Sequence, residues 1–130
     1  MGPTYSSYRK KYPHPNIIIE DFMDFDEVMP KCDVHVTNGG YGGVLLSIDH
    51  ALPIVCAGIN EGKNEICTRV EYFNIGIDLK TEIPKPKALK TSIDKVVRDK
   101  SYKQNIEKLR NEFASYDTRQ LCEKYILELN

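Results

Sequence analysis

The join between Val34-His35-Val36-Thr37 and Asn38-Gly39-Gly40-Tyr41-Gly42-Gly43 constrains this chain more than any other feature. A strand-like segment runs straight into paired glycines. Beyond them Tyr41, Val44, Leu45 and Ile48 fall at the i, i+3, i+4, i+7 spacing of a helix that buries one face. The succession then repeats. Pro53 introduces a strand from Ile54 to Ala57, and the loop Gly58 to Gly62 leads to a helix with Ile66, Val70 and Phe73 on one side. A further strand runs from Ile75 to Leu79. Upstream, Ile17-Ile18-Ile19 is a β-branched run suited to a strand covered on both faces. Asp24 and Glu27 imitate a capping box ahead of Val28 and Met29, with Pro30 closing the turn. Strands alternating with helices at short intervals predict an α/β domain with a mostly parallel sheet and flanking helices.

Past Pro84 and Pro86 the pattern becomes wholly helical. Leu89, Ile93, Val96 and Val97 mark one helix, and Ser101 with Gln104 caps a second that carries Ile106, Leu109 and Phe113. Asp117 with Gln120 opens a last helix bearing Leu121, Tyr125 and Leu129. These helices are expected to pack under the sheet. Residues 1–15 show neither helical nor strand period and are expected to be irregular, with the ordered domain spanning 16–130.

The chain's 130 residues suffice for one core and not for two. Lysine and arginine number 18 against 19 aspartates and glutamates, a formal charge of -1. No overall field exists to hold a nucleic acid or an anionic membrane, so an anionic ligand must be bound by local geometry. No apolar run reaches the roughly 20 residues of a membrane span, and Met1 to Pro13 is polar where a signal peptide is apolar. A cytoplasmic location is expected. Four cysteines, Cys32, Cys56, Cys67 and Cys122, lie far apart without a C-x-x-C pair and are expected to be buried free thiols. His14, His35 and His50 show no ligand spacing, so no metal site is expected.

Chemistry is most legible from Thr37 to Gly43. A glycine pair at the end of a buried strand lets the backbone turn sharply and lets a ligand come close. The helix beyond aims unpaired amides at the same place. Amides and helix dipole together hold a phosphate or diphosphate without lysine or arginine. Ligands of open α/β sheets sit beyond the carboxyl ends of the strands, where this turn lies. Glycines alone serve equally for close strand-to-helix packing, and neither the dinucleotide G-x-G-x-x-G nor the phosphate-loop G-x-x-x-x-G-K-[ST] is matched.

From Asn16 to Asp78 the chain resembles the donor-binding half of nucleotide-sugar glycosyltransferases of the UDP-glycosyltransferase family, which have the two-lobed GT-B fold. The carriers are Phe22-Met23-Asp24, Val28-Met29-Pro30-Lys31-Cys32-Asp33-Val34, Thr37-Asn38-Gly39-Gly40, Ala51-Leu52-Pro53, Glu61-Gly62-Lys63-Asn64-Glu65 and Arg69-Val70-Glu71. The resemblance implies a Rossmann-like lobe holding the donor diphosphate at Thr37, Asn38, Gly39, Gly40, Tyr41, Gly42 and Gly43. The base would lie near Phe22 and Met23, and the sugar would face Asn60, Glu61, Gly62, Lys63 and Asn64. It implies an inverting transfer from a nucleotide-sugar, a UDP-sugar first among them, with no metal and no cofactor beyond the donor. The acceptor pocket and the general base would come from an N-terminal lobe or subunit, leaving this chain as the donor-binding part, inactive by itself.

Three positions depart from the family pattern. Asn38 replaces a histidine, and its amide can bond a phosphate oxygen without carrying charge. Leu46 replaces a glutamate that grips the ribose. Gly62-Lys63 replaces an Asp-Gln pair that reads the sugar hydroxyls. Elsewhere structural roles suffice: Tyr41 belongs to the apolar stripe, His35 is a solvent-facing or hydrogen-bonded strand residue, and His50 sits at a helix C-terminus where an imidazolium is favoured. Phe22 serves equally to stack on a base or to seal the sheet edge. A non-catalytic module that holds a mononucleotide or another phosphorylated ligand is the alternative function. Exposed apolar surface on the final helices would let the isolated chain form a homodimer.

Overall fold

The structure, a computed structural model, describes residues 4–129. Along the chain run α1 (Tyr5–Lys11), α2 (Phe25–Val28) continued by a 3-10 turn (Met29–Lys31), β1 (His35–Thr37), α3 (Tyr41–Asp49), β2 (Ile54–Cys56) and α4 (Lys63–Tyr72). Then follow β3 (Gly76–Asp78), α5 (Pro86–Arg98), α6 (Lys100–Ala114) and α7 (Thr118–Glu128). The strands form a parallel sheet in the order β1-β2-β3, with His35 beside Ile54 and Ile54 beside Gly76. Parallel neighbours need crossovers, and α3 and α4 supply them. The expected α/β architecture, a small parallel sheet with flanking helices and a helical C-terminal part, is present.

Alternation along β2 divides the core. Ile54 and Cys56 join Val44, Ile48, Cys67, Val70, Ile75, Ile106 and Leu109 on the side of α3, α4 and α6. Val55 faces the other way, toward Val96 and Tyr102, with Val34, Ile77, Leu89 and Ile93 around them. Helix α6 contributes to both clusters and so fastens the two layers together. Gly76 is dictated by packing, since a β-carbon there would overlap the Ile54 carbonyl of the neighbouring strand.

Several expectations are corrected. Ile17-Ile18-Ile19 is not a strand: Arg9 Nε donates to the Ile19 carbonyl at 2.6 Å and the Arg9 guanidinium pairs with Glu20 at 2.9 Å, holding this stretch against α1 with Ile18 in solvent. A β-branched run becomes a strand only beside a ladder partner, and this one has a helix as its neighbour. Of the segment expected to be irregular, Tyr5–Lys11 is helical, with Arg9, Lys10 and Lys11 in a last turn that favours cations, while residues 1–3 lie outside the described range. Asp99, not Ser101, caps α6, its carboxylate accepting from Ser101 N at 3.0 Å. Asp24 and Asp117 cap α2 and α7 as expected.

Val36 shares the face of Val55 but lies on the edge strand, beyond the cover of α5, and is exposed. Tyr41, Phe73, Val97 and Phe113 likewise stand at the exposed margins of their stripes. The apolar side of α7, with Leu121, Tyr125 and Leu129, does not pack under the sheet; no described residue of this helix is buried. Cys56 and Cys67 are buried, whereas Cys32 and Cys122 are exposed. Among the described residues no helix is long and apolar enough to cross a membrane.

Candidate functional site

At the C-terminal end of β1 the chain reverses within a few residues. Gly39 takes φ +77°, a conformation that side chains resist, and it is buried against Cys67. Its N–H donates to Thr37 Oγ1 at 3.4 Å, and the Gly40 N–H donates to Asn38 Oδ1 at 3.1 Å. Gly40, extended at φ -62° and ψ 141°, is the N-cap of α3 and offers no side chain to its amides. The N–H groups of Tyr41, Gly42 and Gly43 therefore open α3 without a capping side chain, and the Gly40 carbonyl accepts the first helical bond, from Val44 N at 3.1 Å. Tyr41 and Gly42 are exposed, so an anion can reach these donors. Because Asn38 Oδ1 is already engaged, its NH2 is the donor left for a ligand oxygen.

The loop expected to face the sugar is brought alongside. Ala57 N donates to the Thr37 carbonyl at 3.0 Å, extending the β1–β2 pairing to the turn. A β-carbon on Gly58 would overlap the Asn38 carbonyl and come within 3.0 Å of Lys63 Cδ, so loop, turn and Lys63 stem are in close contact. Lys63 Nζ pairs with Glu61 at 3.0 Å. Gly62, at φ +77°, is the N-cap of α4, and Lys63 N donates to the Asn60 carbonyl at 3.1 Å. Asn64 is exposed in the first turn of α4.

Glu82, which sequence reasoning missed, anchors this loop: its Oε1 accepts from Ile59 N at 2.8 Å and Asn60 N at 2.7 Å. Those two donors, the Asn60 amide first, hold its carboxyl below the ordinary carboxylate range. No local signal marks Glu82, because its partners lie more than 20 residues upstream.

Phe22 is 85% exposed and Met23 half-buried. They precede α2, which is tied through Asp26 to His50 (3.0 Å) at the C-terminal end of α3, the end remote from the turn. No hydrogen bond among the described residues links 22 or 23 to residues 37–43. Leu46 lines a shallow groove with Gly42, Leu45, Asp49, Arg110 and Phe113 on the flank of α3.

Behind the turn lies a second polar chain. Ser47 Oγ donates to the Gly43 carbonyl at 2.9 Å and meets His35 Nδ1 at 2.5 Å. With the hydroxyl proton directed to Gly43, His35 must donate from Nδ1. Burial lowers the His35 pKa from its ordinary 6.5. The expectation of a hydrogen-bonded strand histidine is met. The fold also gathers Cys56, Cys67 and Asp78, all buried, which their separation in the sequence did not suggest.

A family model described as "Erythromycin biosynthesis protein CIII-like, C-terminal domain" matches residues 8–129. UDP-glucosyltransferase A1 of Starmerella bombicola is 32% identical over 114 residues, covering 88% of this chain and 25% of that protein. The 4'-demethylrebeccamycin synthase of Lentzea aerocolonigenes is 31% identical over 102 residues, 78% of this chain and 24% of that one. The crystal structure of the glycotransferase of kitacinnamycin superposes with a TM-score of 0.80 at 20% identity, covering 88% of this chain and 30% of its own. The chain thus spans about a quarter of the length of these curated relatives.

Proposed function

Since this chain belongs to the erythromycin biosynthesis protein CIII-like C-terminal domain family, the C-terminal lobe of GT-B UDP-glycosyltransferases, we propose that it binds the nucleotide-sugar donor, a UDP-sugar, of a glycosyltransferase. The diphosphate lies against the amides of Tyr41, Gly42 and Gly43 and the NH2 of Asn38. The sugar faces Asn60 to Asn64, and the base lies toward Phe22 and Met23. One observation carries the reading: exposed, uncapped amides open α3 beside a loop that Gly58 allows to touch the turn.

The amides and the α3 dipole offset charge as the diphosphate departs, in place of a metal ion or a further cofactor, and the transfer itself inverts the anomeric carbon. Lys63, whose stem lies against the loop beside the turn, swings its ammonium from Glu61 toward this charge when a donor enters. The acceptor and the general base belong to an N-terminal lobe or subunit across the crevice, and this polypeptide by itself binds a donor better than it turns one over. The protein works in the cytoplasm, and the isolated chain pairs with itself through the apolar side of α7.

Thermal denaturation with UDP, UDP-glucose, UDP-N-acetylglucosamine and AMP tests the reading, because a ligand bound only to the folded state raises the midpoint by mass action. Uridine nucleotides raise it and AMP does not. A shift with AMP alone favours the mononucleotide-binding module, for which the departures at Asn38, Leu46 and Gly62 speak.

A further inference from the structure

We propose that Cys56, Cys67 and Asp78 form a site for one thiophilic divalent cation of the zinc class, directly behind the Gly39 turn that packs against Cys67. Their ligand atoms all lie within 4.8 Å of one another. They come from three elements: Cys56 ends β2, Asp78 ends β3, and Cys67 stands on the α4 face that covers both strand ends. Their convergence is therefore a product of the fold rather than of a flexible loop. Two thiolates and a carboxylate suit zinc, whose bonds of about 2.3 Å to sulfur and 2.0–2.2 Å to oxygen are reached from this spacing by small side-chain rotations.

The surroundings favour the assignment. Lys80 N donates to Asp78 Oδ1 at 2.8 Å, fixing the carboxylate and leaving its other oxygen for an ion, the arrangement by which outer contacts orient ligands. Cys56 Sγ lies 3.5 Å from the Ile77 carbonyl, a weak contact that a metal bond would replace. Burial, ahead of the nearby Asp78 carboxylate, pushes both thiols up, so protons compete with an ion for these sulfurs. Two neutral thiols against a buried carboxylate gain little from one another. A dication reverses that balance: both thiol protons leave to solvent, and the ion takes two thiolates and the carboxylate as ligands. The exposed Cys32 and Cys122 have no part in this cluster.

The test uses the full chain carrying Cys32→Ser and Cys122→Ser, which leaves only the buried thiols. Cadmium is titrated with the ultraviolet thiolate-to-metal charge-transfer band as readout, and zinc by calorimetry at several pH values. The site gives saturation at one ion per chain, release of two protons, higher affinity at higher pH and a raised thermal midpoint. Asp78→Asn weakens binding by about tenfold or more with circular dichroism unchanged, and Cys67→Ala removes the band. Absence of the band from the folded chain, substoichiometric binding, or equal affinity in Asp78→Asn overturns the proposal. So does an intact mass showing the two thiols oxidised to a disulfide in the chain as purified.

Discussion

Gly39 and Cys67 adjoin so closely that a β-carbon on the glycine would overlap the cysteine sulfur. The glycine thus has two independent reasons to be there: its φ of +77° and the thiol at its back. Gly39→Ala costs about 1–2 kcal/mol for the backbone conformation and about 1–3 kcal/mol for overpacking. Introducing Cys67→Ala removes the second term, so in a double-mutant cycle followed by chemical denaturation Gly39→Ala costs less in the Cys67→Ala background than beside the native cysteine. Equal costs in both backgrounds contradict the contact.

Gly40 is the cleaner probe of ligand binding. Its backbone suits any residue, and an added β-carbon meets only Asn38 Oδ1, at 3.3 Å. Gly40→Val leaves the thermal midpoint of the free chain within a few degrees and abolishes the stabilisation given by UDP. Gly39→Val lowers the midpoint itself, and so reports on folding as well as on the ligand.

Glu82 holds the loop through the amides of Ile59 and Asn60. Glu82→Gln speeds hydrogen exchange at those amides while Val55, in the centre of the sheet, is unaffected. Because the folded carboxyl is held below its ordinary value, the anchoring is fully present above that value and is lost as pH falls through the lowered one. The difference in loop protection between wild type and Glu82→Gln therefore vanishes in acid. A difference that persists in acid contradicts the assignment.

His35 and Ser47 predict a second pH dependence. The folded imidazole resists protonation, so the neutral form's stabilisation is present above pH 6.5 and declines as pH falls from there through the lowered folded pKa. Unfolding by urea between pH 5 and 8 shows this slope in the wild type and a flatter one in His35→Gln. Ser47→Ala, which strands the His35 donor and removes the bond to Gly43, costs about 1–3 kcal/mol.

Much of this fold can be read from residues near one another in sequence. The alternation of strands and helices, the turn at Asn38 to Gly43 and the caps at Asp24 and Asp117 depend on neighbours within a few positions. The errors share a cause. Ile17 to Ile19 has strand propensity, but what pairs with it is decided by Arg9. Ser101 and Asp99 are both capping residues, and backbone geometry selects the earlier one. The stripe on α7 shows that the helix has an apolar side without showing what covers it. At the site the glycines announce the turn, while Glu82 on the loop, Ser47 on His35 and Cys56 beside Cys67 and Asp78 arise only once strand ends and helices meet. Periodicity carries no record of those meetings.

The amides of α3 can be observed one by one. Titration of the isotopically labelled chain with UDP, followed by amide nuclear magnetic resonance, should give saturable shifts that are largest at Tyr41, Gly42 and Gly43. Saturable shifts elsewhere in the chain, with those three resonances unmoved, would contradict the account.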